Sequence, residues 1–279
     1  MNSKNGYLQF LQGFEASLRE EEKSSITIDK YLRDVKKFLF FSDGRRISKE
    51  LIIAYKNDLH VKYAAASVNS MLAALNCFLR FIGRHDCCVK LLKIQRQMFL
   101  PEERELSRKE YQRLVKAAAG SRLSVIIQTI CGTGIRVSEL RYITVEAVCA
   151  GKSVVNCKNK TRVIFIPTPL CRLLKKYIKK SGVKTGSVFV SRNSRPLDRS
   201  NIWREMKALC KNANVSSKKV CPHNLRHLFA RTFYSIEKDI VKLADLLGHS
   251  SINTTRIYTM DSGYEHIVKL ERVQMLLTT

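Results

Sequence analysis

Apolar positions recur at helical spacing through the first hundred residues. Between Gly6 and Glu22, Leu8, Phe10, Leu11 and Phe14 share one face. After Ser24-Ser25, Ile28, Tyr31, Leu32, Val35, Phe38 and Leu39 follow the i, i+3, i+4, i+7 pattern of a half-buried helix. Ser48 is placed to cap a third helix, KELIIAYKNDLHVKY, with Leu51, Ile52, Tyr55 and Leu59 inward. A fourth, AAASVNSMLAALNCFLRFIGR, is rich in alanine and closes at Gly83. Nothing in this stretch alternates as a strand would, and no unit repeats. The pattern predicts an all-α domain of four or five helices over residues 1–92.

The periodicity lapses over residues 93–106, where KIQRQMFLPEEREL mixes charges of both signs around Pro101, as an exposed linker does. It resumes at Ser107, which with Glu110 forms an S-x-x-E capping box. A buried helix, RLSVIIQTICGTG, is expected to break at Gly132 and Gly134, and VSELRYITVEAV to form the next one. Two β-like runs, SVVNC and RVIFIP, flank a Lys-Asn-Lys-Thr turn. Helices then follow at PLCRLLKKYIKK, at RSNIWREMKALCK after a short VFV strand, and at PHNLRHLFARTFYSI. The stretch DIVKLADLLGHSSINTTRIYT leads to a C-terminal amphipathic helix, GYEHIVKLERVQMLL. Residues 107–279 thus predict a second domain, and the whole chain is expected to be mainly α with a small antiparallel β-sheet in that domain.

Charge narrows the function. The 279 residues carry 50 Lys and Arg against 24 Asp and Glu, a net charge of +26. The surplus is +7 in residues 1–100 and +19 in the remainder, so a polyanion is the expected partner and meets mainly the second domain. At 45% hydrophobic, with 5 Pro and 12 Gly, the chain buries a real core and is no disordered basic tail. Nine cysteines without a CxxC pair argue against a secreted disulfide framework or a zinc ribbon, and predict mostly buried, reduced thiols. No apolar run reaches the ~20 residues that span a bilayer. A cytoplasmic protein with no membrane and no small-molecule substrate is expected.

Five polar positions carry the candidate chemistry. Arg136 follows a Gly-Thr-Gly break at the end of an apolar helix, where a guanidinium could meet a phosphate. His223 and Arg226 stand three apart, on one helix face. His249 follows Leu246-Leu247-Gly248, and Tyr258 comes nine residues later. Singly, each has a plainer reading: a surface arginine, a core histidine beside a solvated arginine, a packing tyrosine.

Their order changes that reading. G-T-G-I-R-V-S-E-L with Arg136, a lysine in a β-turn, His223-x-x-Arg226, L-G-H with His249 and I-Y-T with Tyr258 together resemble the tyrosine recombinase (phage integrase) family, of the simple two-domain type. The resemblance spans the chain, the first domain being similar to the family's SAM-like core-binding domain. It implies a site-specific DNA recombinase working without metal or cofactor. Tyr258 would be the nucleophile forming a 3′-phosphotyrosyl link, and Arg136 and Arg226 would hold the non-bridging oxygens. His223 would exchange the tyrosine's proton, and His249 would donate to the same phosphate. A lysine would protonate the departing 5′-oxygen. The family's turn commonly reads G-K-G-N-K-x-R, whereas here Cys157-Lys158-Asn159-Lys160-Thr161-Arg162 is one residue shorter. Lys158 is the assignment that follows from aligning on N-K-x-R, with Lys160 as the alternative. Glu139 matches an acidic position that supports the site. His227 is expected on another helix face in a structural role, and His60, His85 and His266 carry no signal.

The implied partner is double-stranded DNA with inverted-repeat core sites, bound by a homotetramer in the synaptic complex. The final helix, with Ile267, Val268, Leu270, Val273, Leu276 and Leu277, would dock on a neighbouring subunit or on its own domain. Because core-binding helices begin almost at residue 1, no arm-binding domain is expected before them. A type IB topoisomerase-like nicking-closing enzyme and a catalytically inactive DNA-binding accessory protein are the competing readings.

Overall fold

The computed structural model describes residues 3–94, 105–157, 160–191, 193, 195–249 and 251–258, and the chain divides into two compact units, residues 1–96 and 97–279. Both predicted elements at its edges, most of the linker and the whole C-terminal helix, lie outside the described residues.

The first unit contains four helices, α1 (Ser3–Glu20), α2 (Ser25–Ser42), α3 (Lys49–Lys62) and α4 (Ala65–Phe81). Their starts follow from local chemistry: the Ser24 and Ser48 hydroxyls accept from the N–H groups of Thr27 and Leu51, satisfying donors that a helix cannot pair itself. Phe14, Phe38 and Phe78 are fully buried, with Phe14 and Phe78 edge to face at 5.3 Å. After Gly83 the chain makes a single 3-10 turn, His85–Cys87, and then runs extended along α4. Two asparagines one face apart hold this segment. Asn76 donates to Val89 O at 2.8 Å and accepts from its N–H at 3.0 Å, and Asn69 does the same to Leu92 at 2.9 and 2.7 Å. Each amide stands in for a strand neighbour, so a segment with no ladder has its backbone groups paired.

The second unit is built around α6 (Arg122–Thr133), whose Ile126, Ile127 and Ile130 are fully buried. The capping box at Ser107 and Glu110 opens α5 (Arg108–Ala117) as expected. Leu106 is already in this core and Glu105 pairs with Arg231, so the chain joins the unit before the helix starts. The β-runs form a two-stranded antiparallel hairpin, β1 (Lys152–Cys157) and β2 (Lys160–Phe165), with Cys157 opposite Lys160. Then come α8 (Thr168–Ser181), α9 (Arg199–Ala213), α10 (Pro222–Glu237), α11 (Ile240–Leu247), the short α12 (Ile252–Thr255) and a 3-10 turn ending at Tyr258. α10 lies across α6.

Four expectations need correction. Gly132 does not break α6; it stays helical, its missing Cβ leaving room for Leu170, and the break falls only at Gly134, where φ turns positive. VSELRYITVEAV is two pieces, a 3-10 turn (Val137–Tyr142) and α7 (Val145–Ala150), because the Thr144 hydroxyl caps the second by accepting from Ala147 N–H at 3.1 Å. VFV is not a strand: Ser187 and Val190 make single bridges, to Thr144 and Pro196, while Val188 and Phe189 are buried. Of the eight described cysteines, all free, only Cys87 and Cys210 are buried, and Cys149 is exposed.

Candidate active site

The site begins where α6 ends. Gly134 takes φ +65°, and a Cβ there would fall 2.3 Å from the Phe229 ring of α10. Glycine therefore lets the two helices close, and the chain turns to present Arg136 at the head of the 3-10 turn. Three residues on, the Glu139 carboxylate is 2% exposed and reaches back, accepting from Arg136 N–H at 2.8 Å and from Arg136 Nη1 at 2.9 Å. Its other partner is the Arg162 guanidinium on β2. Burial alone would raise the Glu139 pKa. The Arg136 N–H, the Arg162 charge and the Arg136 side chain outweigh it and hold the pKa below the usual value.

Arg162 also donates to Leu246 O at 2.7 Å, at the end of α11. There Gly248 takes φ +63° and a Cβ would lie 2.4 Å from Arg162 Cδ. The glycine of L-G-H thus serves a left-handed helix end and the passage of an arginine beneath it.

Arg226, 3% exposed, is the centre. Its Nη1 donates to Gly134 O, and its Nη2 to Leu247 O at 2.7 Å and to His249 Nε2 at 3.0 Å. A guanidinium only donates, so His249 Nε2 must accept and its proton sits on Nδ1, facing Thr255 Oγ1 at 2.9 Å. The side chain of Tyr258 is buried beside this pair, its ring stacked with His249 at 5.9 Å and edge to face with His227 at 4.5 Å. His227 Nε2 in turn meets His223 Nε2 at 2.8 Å.

Positive charge dominates the electrostatics. Burial, then Arg136, push the Arg226 pKa down to about 10, where it stays charged at neutral pH. Burial followed by Arg226, Arg136, Arg162 and His223 lowers His249 to about 4. Burial, His223 and Arg226 lower His227 to about 4 as well, and burial, Arg226 and Arg136 lower His223. At neutral pH the site holds three guanidinium groups, one carboxylate and three uncharged imidazoles, a surplus of positive charge that an anion would relieve.

Arg136, Glu139, His223, Arg226, His249 and Tyr258, separated by up to 122 positions in sequence, thus converge. Lys158 lies outside the described residues, and Lys160 is placed at the first position of β2 without a described side chain. One expectation changes: His227 is not on a remote face, since four residues from His223 it lies one turn along the same face and packs on Tyr258. Arg162 and Thr255 are functional neighbours that sequence reasoning passed over; Arg162 had a signal, as the arginine closing N-K-x-R. Beside His223 a cavity of about 560 Å³ is lined by Val137, Arg199, Trp203, Arg204 and Cys221.

A buried arginine centre, a tyrosine and flanking histidines on a helical domain with one hairpin define a site for phosphodiester chemistry. Residues 104–264 match the phage integrase family and residues 11–85 its N-terminal SAM-like domain, so the chain belongs to the phage integrase family. It is a tyrosine-type site-specific recombinase, cleaving and rejoining DNA. Tyrosine recombinase XerA of Pyrococcus furiosus is 29% identical over 99% of this chain and 98% of its own length. A crystal structure of XerA recombinase is similar at TM-score 0.53 and 27% identity, covering 98% of this chain and 100% of that one. A lambda integrase tetramer bound to a Holliday junction shares the fold, at TM-score 0.73 and 21% identity over 90% of this chain and 76% of that one. Among the described residues, no helix is long and apolar enough to cross a membrane.

Proposed function

We propose that Tyr258 is the nucleophile of strand exchange on double-stranded DNA, with Arg136, Arg226, His223 and His249 arranged for the scissile phosphate. The Tyr258 oxygen bonds to phosphorus and the bond to the 5′-oxygen breaks; the phenolic proton leaves to His223, and a proton from the turn lysine reaches the departing 5′-oxygen, which becomes a hydroxyl. The protein–DNA bond keeps the energy of the one it replaces, so rejoining needs no nucleotide. Arg226 and Arg136 offer fixed donors to the non-bridging oxygens, whose charge grows at the pentavalent stage.

The observation that carries this reading is the placement of Tyr258 between the His249 and His227 rings, beside the buried Arg226. The acid–base logic supports it. Neutral histidines suit proton acceptance. Burial first, and then Arg226 and the other guanidinium groups, depress His249; a bound phosphate offsets those charges, so it should raise the pKa and favour a protonated Nε2 that donates. Lys158 on the hairpin turn is assigned the proton for the 5′-oxygen, with Lys160 as the alternative. Supported by the +26 charge and by the DNA-bound lambda integrase tetramer, the functional unit is a homotetramer on inverted-repeat core sites in the cytoplasmic nucleoid.

The test is a nicked duplex carrying a site selected by binding from a random-sequence library, in metal-free buffer. The protein should form a denaturant-resistant adduct with DNA. Tyr258→Phe, which keeps the ring, should bind equally and form none. Binding without any adduct would instead favour an inactive accessory protein, and relaxation of supercoils by isolated monomers a nicking-closing enzyme.

A further inference from the structure

The residue that lies between His223 and Tyr258 is His227, to which the proposed chemistry gives no task. Its Nε2 is 2.8 Å from His223 Nε2, the two rings cross at 72° with centroids 4.3 Å apart, and its other contact is the edge-to-face packing on Tyr258. Two ring nitrogens at that distance are hydrogen-bonded only if one carries a proton and the other does not. The contact therefore couples the tautomers of both rings. If His223 donates from Nε2, its Nδ1 is a bare lone pair and a base; if it accepts at Nε2, its proton sits on Nδ1 and the ring is an acid there.

Resting on the assignment of His223 as the group that exchanges the Tyr258 proton, we propose that His227 is a positioning residue for that reaction: through the Nε2–Nε2 hydrogen bond it fixes the tautomer and orientation of His223. Helix spacing makes this possible, since positions four apart on α10 stack on one face and bring both rings to the site from a single rigid element. The pair faces Arg226 from the same helix, Arg136 from the 3-10 turn and Tyr258 and His249 from the segment after α11. Those guanidinium charges, together with burial, keep both rings uncharged, so a single proton is shared between the two facing nitrogens. Once His223 takes a proton, its existing hydrogen bond to neutral His227 becomes charge-assisted, which favours proton acceptance.

Two variants separate this role from packing. His227→Phe keeps a ring beside Tyr258 and removes the nitrogen; His227→Gln gives up the ring and keeps a donor and an acceptor. Adduct formation would be followed in single turnover against pH on the nicked duplex, beside DNA affinity. In parallel, long-range nitrogen–proton NMR spectra of the DNA-free protein would report the His223 tautomer. Affinity should be unchanged in both. His227→Phe should form adduct about 10- to 100-fold more slowly, the scale of losing a group that orients a functional side chain. Its acid limb should move to lower pH, and its His223 should become a tautomer mixture. His227→Gln should recover most of the rate and a single tautomer. Equal adduct rates in wild type and His227→Phe, or an unaltered His223 tautomer in that variant, would overturn the role of His227 alone. A wild-type rate in His227→Phe beside a slow His227→Gln would reduce it to packing, and equally slow variants, in which a restored donor and acceptor recover nothing, would overturn the hydrogen-bonding role. Absence of adduct in the wild type would overturn the underlying assignment as well.

Discussion

The two units bury charge in opposite ways. In the first, Asp34 is the one buried charged side chain among the described residues, and its partners lie within a turn: Lys30 Nζ at 2.6 Å, four residues back, and Arg33 at 3.8 Å. In the second, Glu139 is held by Arg136 and by Arg162, 23 residues away, while Arg226 reaches carbonyls 92 and 21 residues distant. A local pair adds to a helix that its apolar face already specifies. A non-local network forms only when four segments have docked, and removing Glu139 leaves the largely buried Arg162 without its carboxylate. The second unit accepts that penalty to hold guanidinium groups rigidly toward one point, the condition for stabilising charge in a transition state without reorganisation.

Removing the carboxylate tests this contrast most strongly. Glu139→Ala should destabilise the second unit by about 3–5 kcal/mol, the range for an orphaned buried charge partner. Trp203, the single tryptophan, belongs to that unit and reports its urea unfolding by fluorescence. Because the Glu139 pKa is below its ordinary value, its stabilisation is present above pH ~4.5 and is lost as pH falls through the folded value. An effect within 1 kcal/mol would mean the network contributes little.

Gly134→Ala and Gly248→Ala come next. Both positions have positive φ, and the added methyl meets Phe229 or Arg162, so each should lose about 1–3 kcal/mol in the same assay. The Gly248 variant should also slow adduct formation, since it displaces Arg162 from Leu246 O and Glu139. Unchanged melting in either would remove the close-approach argument for that glycine.

In the first unit the effects should be smaller. Asp34→Asn, which keeps the shape, should change stability by about 0.5–1 kcal/mol, and Asn76→Ala by about 1 kcal/mol as two backbone groups of Val89 lose their partner. Circular dichroism in urea checks both. If Asp34→Asn matched Glu139→Ala, the local and non-local clusters would be energetically alike.

Stability should also slope with pH. His227 and His249 sit near pKa 4, well under the ordinary 6.5, so the unfolded chain binds more protons between those limits. Stability is therefore full above about pH 6.5 and declines toward pH 4. Bound duplex, by supplying negative charge, should flatten the decline. Thermal melts of the Trp203 signal at pH 7 and pH 5, with and without DNA, measure it, and a stability that rises toward pH 5 would contradict the shifts.

Most helices were legible because each buries one stripe, and three of them open on a serine that caps them, Ser24, Ser48 and Ser107. Val188 and Phe189 misled because buried branched and aromatic residues resemble a strand whether or not a neighbour pairs with them. VSELRYITVEAV misled because its apolar spacing continues through Thr144, where the backbone restarts. At the site, the motif residues could be named without knowing how far apart they sit. His227 was misplaced because its neighbour Arg226 was taken as reference: one step along a helix turns away, whereas the four steps to His223 return to the same face. The Glu139–Arg162 pair needs the register of the hairpin, which no periodicity reveals.

The central claim is that Tyr258 carries the covalent link. The adduct trapped on the nicked duplex should be digested with protease and nuclease, and the nucleotide-bearing peptide sequenced by mass spectrometry. The account predicts a phosphodiester-linked nucleotide on Tyr258, with Tyr234 and Tyr264 unmodified. Attachment at Tyr234, Tyr264 or any residue other than Tyr258 would contradict it.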